Sequence, residues 1–391
     1  MMITAINVYK VTLPFKATFS HSQKDARSVD NIVVEIVTNE NGLRGYGEGA
    51  PRPYVTGETQ RDAIRNVTAL CLNKGFPWDL DQISQIWNFV TAATSDKSHN
   101  SALCALEIAL LDMLARKKGR NLLHYLPTDH VTKEIQYGGT VPIADLNMVT
   151  EICAMLKEFD IKAVRLKMGK CFEANKRTIK AVCRVMGRGG SLRVDVNGAW
   201  NLDLAKQHLP LLVSHEANIL EQPLMPNDDN WEELADIVRA RDVKLMADES
   251  VCSMEDMEDA ITEGYFDIIN IRLSKCGGFF NSLKIIQRVR AAGLNYQVGC
   301  QLGESGILSA AGRALCAASS DALYYDGSYD AFLLKENLTT ENVTFGHGGK
   351  AVPLKGHGLG IRVIPENLNR FSDDPVTIQR SLIGLRGTCP E

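Results

Sequence analysis

Eight short apolar segments recur at nearly even spacing through the middle of the chain, and this repeat restricts the possible folds more than any other feature. Their first residues lie 24 to 29 residues apart, an interval that accommodates one strand, one helix and two short loops. The segments are Ile135–Pro142, Ala163–Gly169, Leu192–Gly198, Asn218–Leu224, Lys244–Ser250, Ile268–Ser274, Asn295–Gln301 and Ala322–Gly327. Eight such units predict an α/β fold, a (β/α)8 TIM-like barrel whose last unit can be irregular. A doubly wound open sheet is the alternative, but no Gly-rich dinucleotide fingerprint follows the first segment.

The sequence on either side of the repeat predicts a second domain. Residues 1–130 contain strand patterns followed by helical patterns, at Glu58–Leu72 and Ser101–Lys117, which is typical of an α+β domain. Residues 131–330 then form the barrel domain that carries the catalytic residues. Residues 331–391 are rich in Gly and turn residues without another βα unit, so we expect them to pack back on the N-terminal domain and complete it as a cap.

Charge and cysteine content exclude several classes of protein. The chain has 391 residues, a net charge of -4 and an isoelectric point near 6.1. It therefore lacks the basic excess of a nucleic-acid binder and gives no reason to expect a polybasic membrane patch. Its ten cysteines are scattered without a CxxC motif, which indicates reduced thiols and a cytoplasmic protein. We expect no nucleic-acid or membrane partner, a small-molecule substrate, and a homo-oligomer.

No segment has the pattern of a targeting or membrane-spanning sequence. The N-terminus alternates apolar and polar residues and lacks the apolar core of a signal peptide. The most apolar long stretch, Ser101–Ala115, carries Glu107 and Asp112 and is too short to cross a bilayer. Because its leucines recur on one helical face, we expect an amphipathic core helix.

Acidic residues occupy the ends of three consecutive predicted strands, at Asp195, Glu221 and Asp248. Active sites of such barrels lie at the carboxyl ends of the strands. Three converging carboxylates repel one another, and a hard divalent cation relieves that repulsion; all-oxygen ligation favours Mg²⁺ over Zn²⁺. None of the eight histidines lies at these positions. The structural alternative is a ring of salt bridges that closes the barrel.

Two cationic residues end the second predicted strand. Arg165 and Lys167 flank Leu166, so they share one face of the strand about 7 Å apart. A base works best when its pKa lies near the working pH, and an adjacent guanidinium and a metal both lower the pKa of a lysine. We therefore predict Lys167 as a base with Arg165 as its cationic neighbour. The alternative is that both residues only neutralise the nearby acids.

Taken together, these segments resemble the enolase superfamily, in its muconate-lactonizing-enzyme subgroup of mandelate racemase-like proteins. The resemblance also includes Gly45-Tyr-Gly-Glu-Gly49 and the helix Ala105–Asp112, and it covers nearly the whole chain. It implies a Mg²⁺ ion held by the three strand-end acids. It further implies that Lys167 is the second lysine of a Lys-x-Lys motif and the acid/base on one face of the substrate. In such enzymes the metal binds a substrate carboxylate and stabilises the enolate formed when the α-proton leaves.

The chain departs from the family pattern at two positions. Arg165 stands where the motif has its first lysine, which keeps the positive charge. Arg272 stands where the sixth strand usually carries a catalytic lysine. The nearby Lys275 has the opposite strand parity, which predicts a helix-facing or rim position. Since an arginine guanidinium holds its proton too tightly to transfer it readily, we expect Arg272 to stabilise negative charge.

The remaining candidate residues are expected substrate contacts. The resemblance implies that two loops of the N-terminal domain, at residues 19–22 and 51–56, cover the mouth of the barrel. The candidates from these loops and from the strand ends are Phe19, His21, Tyr54, Thr56, Asn197, Glu249, Lys275, Cys300 and Glu304.

The leading functional hypothesis is a Mg²⁺-dependent enzyme that removes the α-proton of a carboxylate substrate. Because one base suffices with Lys167, we expect an isomerase of the cycloisomerase type or a syn-dehydratase. The alternative is a two-base racemase or epimerase of N-acylamino acids or dipeptides, with Cys300 or Lys275 as the second group. A Schiff-base aldolase using Lys167 fits the three acids poorly. A metal-binding barrel without turnover stays open because of Arg272.

Overall fold

The computed structural model describes residues 2–21, 24–40, 42–128, 131–187 and 190–382. A four-stranded antiparallel sheet and an eight-stranded parallel sheet dominate this part of the chain. The strands are β1 (Ile3–His21), β2 (Lys24–Thr38), β3 (Arg44–Gly49), β4 (Ile135–Gln136), β5 (Gly139–Val141), β6 (Ala163–Lys167), β7 (Ser191–Asp195), β8 (Ile219–Glu221), β9 (Lys244–Ala247), β10 (Ile268–Ile271), β11 (Asn295–Val298), β12 (Tyr324–Tyr325), β13 (Lys350–Ala351) and β14 (Val376–Gln379).

Helices cover both sheets. They are α1 (Pro53–Thr56), α2 (Gln60–Leu72), α3 (Ile83–Ala93), α4 (Asn100–Lys117), α5 (Leu146–Glu158), α6 (Phe172–Met186), α7 (Leu202–Ser214), α8 (Trp231–Arg239), α9 (Met254–Glu263), α10 (Leu273–Cys276), α11 (Phe279–Ala291), α12 (Gly306–Ala318), α13 (Asp330–Leu333) and α14 (Pro365–Arg370). Among the described residues, no helix is both long and apolar enough to cross a bilayer.

The eight-stranded sheet is a barrel, as the spacing of the apolar segments predicts. Strands β5 to β12 lie side by side in chain order, all parallel. Its two edges meet through a bridge between Tyr137 and Tyr325, where Gly138 N donates to Tyr325 O at 2.8 Å. The eighth unit is irregular because β12 is followed by α13, which has four residues, rather than by a full helix.

The N-terminal residues form the cap, whose sheet has the order β14-β1-β2-β3. Its edge strand β14 comes from the C-terminal segment and pairs antiparallel with β1, with Ala5 opposite Gln379 and Val8 opposite Val376. The chain therefore returns to the cap after it leaves the barrel.

Helix α4 lies directly on β3, and alternate glycines of that strand permit the contact. A Cβ atom at Gly45, Gly47 or Gly49 would collide with backbone carbonyl oxygens of α4. Glycine is the residue that allows two backbones to approach this closely. The Gly45-Tyr-Gly-Glu-Gly49 motif is thus explained by helix-on-strand packing.

The amphipathic interpretation of this helix was wrong, because residues 100–115 are buried on every side of α4. Its two acids face protein rather than water. Glu107 accepts hydrogen bonds from the backbone N–H groups of Phe279 and Phe280, and Asp112 accepts one from Leu359. A one-sided leucine pattern cannot reveal this, since acids that bind backbone donors are tolerated in a core.

Candidate active site

The strand ends bring the predicted acids and the predicted base together. Lys167, Asp195 and Glu221 lie directly beside one another in the register of β6, β7 and β8. Asp248 comes two residues after Met246, the register partner of Glu221 on β9. Strands of a barrel are staggered along its axis, so residues at one depth need not be register partners. All three acids are completely buried.

Arg165 and Lys167 contact the same acid, as strand alternation predicts. Lys167 Nζ donates to Asp195 Oδ2 at 2.6 Å and to Asn197 Oδ1 at 2.7 Å. Arg165 Nη1 lies 3.6 Å from Asp195 Oδ2 and 3.6 Å from Glu221 Oε1. The guanidinium thus lies between the first two acids, and the lysine amine is oriented by the first.

Arg272 occupies the corresponding position on the far side of the barrel mouth. Its Nη2 atom forms an ion pair with Asp248 Oδ2 and lies 3.9 Å from Glu221 Oε1. Its Nη1 atom donates to Gln301 Oε1 at 3.0 Å. Since β10 is the fourth strand after β6 in an eight-stranded barrel, Arg272 and Lys167 approach the mouth from opposite walls.

Lys275 does not lie at the rim and does not line the mouth. Its side chain is completely buried, and its Nζ atom donates to the backbone oxygens of Asp248 and Asn270, both at 2.6 Å. It also lies 3.2 Å from Asp248 Oδ1. The prediction from strand parity assumed an extended backbone, but helix α10 begins just after Arg272. Lys275 therefore lies next to Asp248 as its buried counterion.

The donor set of the three acids fits a hard divalent cation in type. All the donors are carboxylate oxygens, and Glu221 Oε2 is buried without a hydrogen-bond partner. Among the described residues, no three His, Cys, Asp or Glu side chains lie close enough together to hold a metal ion. The three strand-end acids lie apart because the guanidinium groups of Arg165 and Arg272 lie between their carboxylates.

A cavity of about 270 Å³ opens over this cluster. The candidate residues that line it are Tyr54, Arg165, Lys167, Asn197, Arg272, Cys300 and Glu304. Thr56 and Glu249 are buried outside its lining, as are the three acids and Lys275. The side chains of Phe19 and His21 lie outside the described residues. Lys16 and Ala17 of the same strand line the cavity, so the cap does reach the barrel mouth.

Burial changes the acidity of two groups on the Arg272 side of the cavity. It raises the pKa of Glu304 to about 8, although Gln301 N donates to Glu304 Oε1 at 2.6 Å. Burial also raises the pKa of the Cys300 thiol. Glu304 therefore holds its proton near neutral pH, and Cys300 stays a thiol.

The pKa values of two acids near Lys167 are shifted in opposite directions. Burial alone would raise the pKa of Asp195, yet the charges of Lys167 and Arg165 bring it below its ordinary value. Burial and the charge of Asp195 raise the pKa of Glu249 to about 7. Asn197 connects the two acids to the lysine, since its Nδ2 donates to Glu249 Oε1 at 3.1 Å.

The sequence interpretation missed Asp326 and Tyr329. Asp326 follows β12, is completely buried, and lies 3.4 Å from Arg165 Nε and 2.9 Å from Arg193 Nη2. Tyr329 lines the cavity and donates to Gly138 O at 2.8 Å. The rule that located the other acids, a polar residue at a strand end, finds Asp326 when it is applied to the eighth strand.

Comparison with known proteins agrees with this architecture. Residues 147–367 match the family described as Enolase C-terminal domain-like, and residues 2–126 match the Mandelate racemase / muconate lactonizing enzyme, N-terminal domain. The structure of a dipeptide epimerase from Cytophaga hutchinsonii, complexed with Mg and the dipeptide D-Ala-L-Val, superposes with a TM-score of 0.84 at 26% identity. That match covers 97% of this chain and 100% of the other.

Curated relatives include several epimerases. A hydrophobic dipeptide epimerase of Enterococcus faecalis is 29% identical over 372 residues, which cover 92% of this chain and 99% of the relative. An N-succinyl-L-Arg/Lys racemase of Bacillus cereus is 28% identical over 317 residues, covering 80% of this chain and 83% of the relative. With both domains matched, the chain belongs to the mandelate racemase/muconate lactonizing enzyme family of the enolase superfamily.

Proposed function

We propose that this chain is a Mg²⁺-dependent epimerase or racemase that acts on the α-carbon of a dipeptide or an N-acylamino acid. The observation that carries the proposal is the approach of Lys167 and Arg272 to one cavity from opposite walls. Inversion of a carbon centre needs a proton removed from one face and returned on the other, so groups on both walls are required. The names of the relatives support the epimerase hypothesis over cycloisomerisation or dehydration.

Lys167 acts as the acid/base on one face in this proposal. Two of its three ammonium protons are donated to Asp195 and Asn197, which hold the amine at the cavity wall. Mg²⁺, which Asp195, Glu221 and Asp248 would hold, supplies Lewis-acid stabilisation of the negative charge that develops on a substrate carboxylate.

The opposite wall presents Arg272 and Glu304, linked through Gln301. Arg272 supplies a permanent positive charge, because a guanidinium rarely loses its proton in a protein. Glu304 supplies the proton, since its pKa of about 8 keeps it protonated near neutral pH. In this arrangement Glu304 takes the part that the family gives to a lysine at position 272.

We also propose that residues 1–130 and 331–391 act as one cap over the barrel of residues 131–330. A cytoplasmic location and a homo-oligomer remain predictions.

The test is α-proton exchange in D₂O, with Mg²⁺, across a library of dipeptides and N-acylamino acids of both configurations. We expect deuterium to enter substrates that also interconvert between stereoisomers. The Lys167→Met variant should lose exchange of the stereoisomer whose α-proton faces Lys167, and with it interconversion, whereas Lys170→Met, which removes an exposed lysine of the following loop, should retain both. Exchange of both stereoisomers in the Lys167→Met variant at the parent rate would refute the assignment of the base.

One-base chemistry is the second candidate, and the ion pair of Arg272 with Asp248 favours it. A guanidinium committed to a carboxylate stabilises charge without transferring a proton. Exchange confined to one stereoisomer, without interconversion, would favour cycloisomerisation or syn elimination over epimerisation.

A further inference from the structure

An apolar arm of the cavity extends beyond the residues that the proposed chemistry uses. We call it the α5 channel. Its walls are Met148, Ile152, Met155 and Phe159 on one side and Phe332, Leu333 and Phe345 on the other. The same cavity is lined by Arg165, Lys167 and Arg272, so the channel is continuous with the candidate active site.

Helix α5 has two apolar stripes, and one suffices to attach it to the barrel. Val149, Cys153 and Leu156 are buried in the core. Met148, Ile152 and Met155 form a second stripe one residue away, with the helical spacing i, i+4, i+7. A barrel helix normally presents polar residues on the face that leaves the core. The second stripe faces the cavity instead, which indicates that something apolar covers it.

The opposite wall exists because the eighth barrel unit lacks a full helix. The four-residue helix α13 and residue 345 occupy that side and contribute an aromatic cluster. The rings of Phe159 and Phe332 lie 6.2 Å apart edge-to-face, and those of Phe332 and Phe345 lie 5.4 Å apart. The channel therefore lies between α5 and α13, beside Gly139 and Thr140 of β5, and the contact of Phe159 with Phe332 closes one end of it.

The channel reaches the protein surface. Met148, Met155 and Phe332 line the cavity and yet are 38%, 42% and 37% exposed. The cavity is therefore open and largely apolar along these residues, whereas its cationic end at Arg165, Lys167 and Arg272 is buried. From residue 148 to residue 158 the helical wall is about 15 Å long.

We propose that the α5 channel binds a long hydrocarbon chain carried by the substrate, so that the substrate class is an amino acid with an extended N-acyl chain. This inference rests on the proposed function, since the cationic inner end would hold the carboxylate. The two ends match the two ends of such an amphipathic molecule. A peptide extension would instead leave amide groups against Met, Ile and Phe side chains without hydrogen-bond partners, which costs free energy. Flexible methionine side chains suit chains of variable length.

The experiment compares binding of N-acetyl-, N-hexanoyl- and N-dodecanoyl-L-alanine by calorimetry in the presence of Mg²⁺. We expect affinity to rise with chain length, because each methylene that leaves water contributes about 0.8 kcal/mol at most. Met155→Asp should reduce the dodecanoyl-to-acetyl affinity ratio by about tenfold or more, since a charge would stand at the hydrocarbon path. Leu146→Asp is the matched control. It changes an equally exposed apolar residue of α5 outside the cavity lining and should leave the ratio unchanged.

Equal affinity for the three chain lengths would overturn the proposal, as would an unchanged ratio in Met155→Asp. The proposal would also be overturned if Met155→Asp weakened the binding of a dipeptide such as L-Ala-L-Leu as much as it weakened the binding of the dodecanoyl compound. Binding does not depend on turnover. Binding that depends on chain length, without α-proton exchange, therefore supports the channel and refutes the proposed function. Exchange without a dependence of binding on chain length supports the proposed function and refutes the channel.

Discussion

Lys167 illustrates how single side chains of the site depend on charges brought from other strands. Its amine contacts Asp195 and Asn197, and the same Asp195 also lies near Arg165. Buried charges of this kind are tolerated only when they are paired, and removal of one partner leaves the other uncompensated. Substitutions within the cluster therefore affect charge balance as well as chemistry, and each needs a variant that keeps the shape of the side chain.

Glu221→Gln tests the metal site at this scale. The change removes one negative charge and keeps the side chain nearly the same size. We expect it to weaken Mg²⁺ binding by about tenfold or more, since carboxylates are preferred ligands of this ion. Calorimetric titration with Mg²⁺ measures the affinity, and far-ultraviolet circular dichroism checks the fold. Glu249→Gln is a control among the neighbouring buried acids, and an unchanged affinity for Glu221→Gln would exclude Glu221 as a ligand.

Glu304 predicts a pH dependence of stability. Its pKa is raised from the ordinary value to about 8 in the folded protein, so between about pH 4.5 and 8 the folded state retains a proton that the unfolded chain has lost. The free energy of unfolding therefore decreases as pH rises through this window, with a slope of at most about 1.4 kcal/mol per pH unit. We expect Glu304→Gln to lack this component.

The measurement is urea unfolding of the parent and Glu304→Gln at several values from pH 5 to pH 8.5. Comparing the two proteins cancels the contributions of other buried acids. A stability difference that stays constant over this range would mean that Glu304 does not titrate there.

At the scale of elements, the start of α11 shows how a cap helix secures a barrel helix. Glu107 on α4 accepts from Phe279 N at 2.5 Å and from Phe280 N at 2.9 Å, so it satisfies two backbone donors at the first turn of α11. Gly278 immediately precedes this turn with φ +101° and ψ -169°, a conformation that strongly favours glycine. A Cβ atom there would also collide with the Glu107 carboxylate.

Gly278→Ala should therefore destabilise the fold by about 3 kcal/mol or more, from backbone strain and from displacement of a buried carboxylate. Gly264→Ala is the matched control, because Gly264 also has a positive φ of +69° but has open space where a Cβ would lie. We expect it to cost only about 1 kcal/mol. Chemical denaturation measures both, and equal losses would show that the contact with Glu107 is unimportant.

At the scale of the whole molecule, Glu48 joins the cap to the barrel. It lies on β3 and accepts from Ser305 N at 3.0 Å, Ser305 Oγ at 2.6 Å and Leu308 N at 2.9 Å, at the start of α12. It also accepts from Asn31 Nδ2 at 2.7 Å within the cap. A single buried carboxylate thus satisfies donors from both domains, and its loss leaves them unpaired.

Glu48→Ala should cost about 3 kcal/mol and uncouple the two domains, since each buried unsatisfied donor costs about 1–3 kcal/mol. We expect its denaturation to show separate transitions for cap and barrel, followed by tryptophan fluorescence and circular dichroism. Glu35→Ala is the control, because Glu35 accepts from Asn7, Tyr9 and Tyr46 inside the cap alone. A single shared transition in Glu48→Ala would contradict the linking role.

Much of this molecule follows from its sequence alone. The spacing of the strands predicted the barrel, because each interval between strands is long enough for one helix and two short loops, and this can be read from the local sequence. Position at a strand end predicted that Asp195, Glu221 and Lys167 would lie together, because parallel strands bring their carboxyl ends to one edge. The family resemblance, carried by several short motifs, is confirmed by both domain matches.

Other features were decided only when distant elements packed together. Lys275 became a counterion of Asp248 because a short helix, not an extended strand, follows Arg272. Asp326 and Arg165 lie far apart in the chain, and their pairing depends on barrel closure. The α5 channel has no local sequence signal, since methionines at helical spacing equally predict a buried core stripe. The periodicity of apolar residues indicates which face of a helix or strand is buried, whereas the tertiary packing decides which other element covers that face.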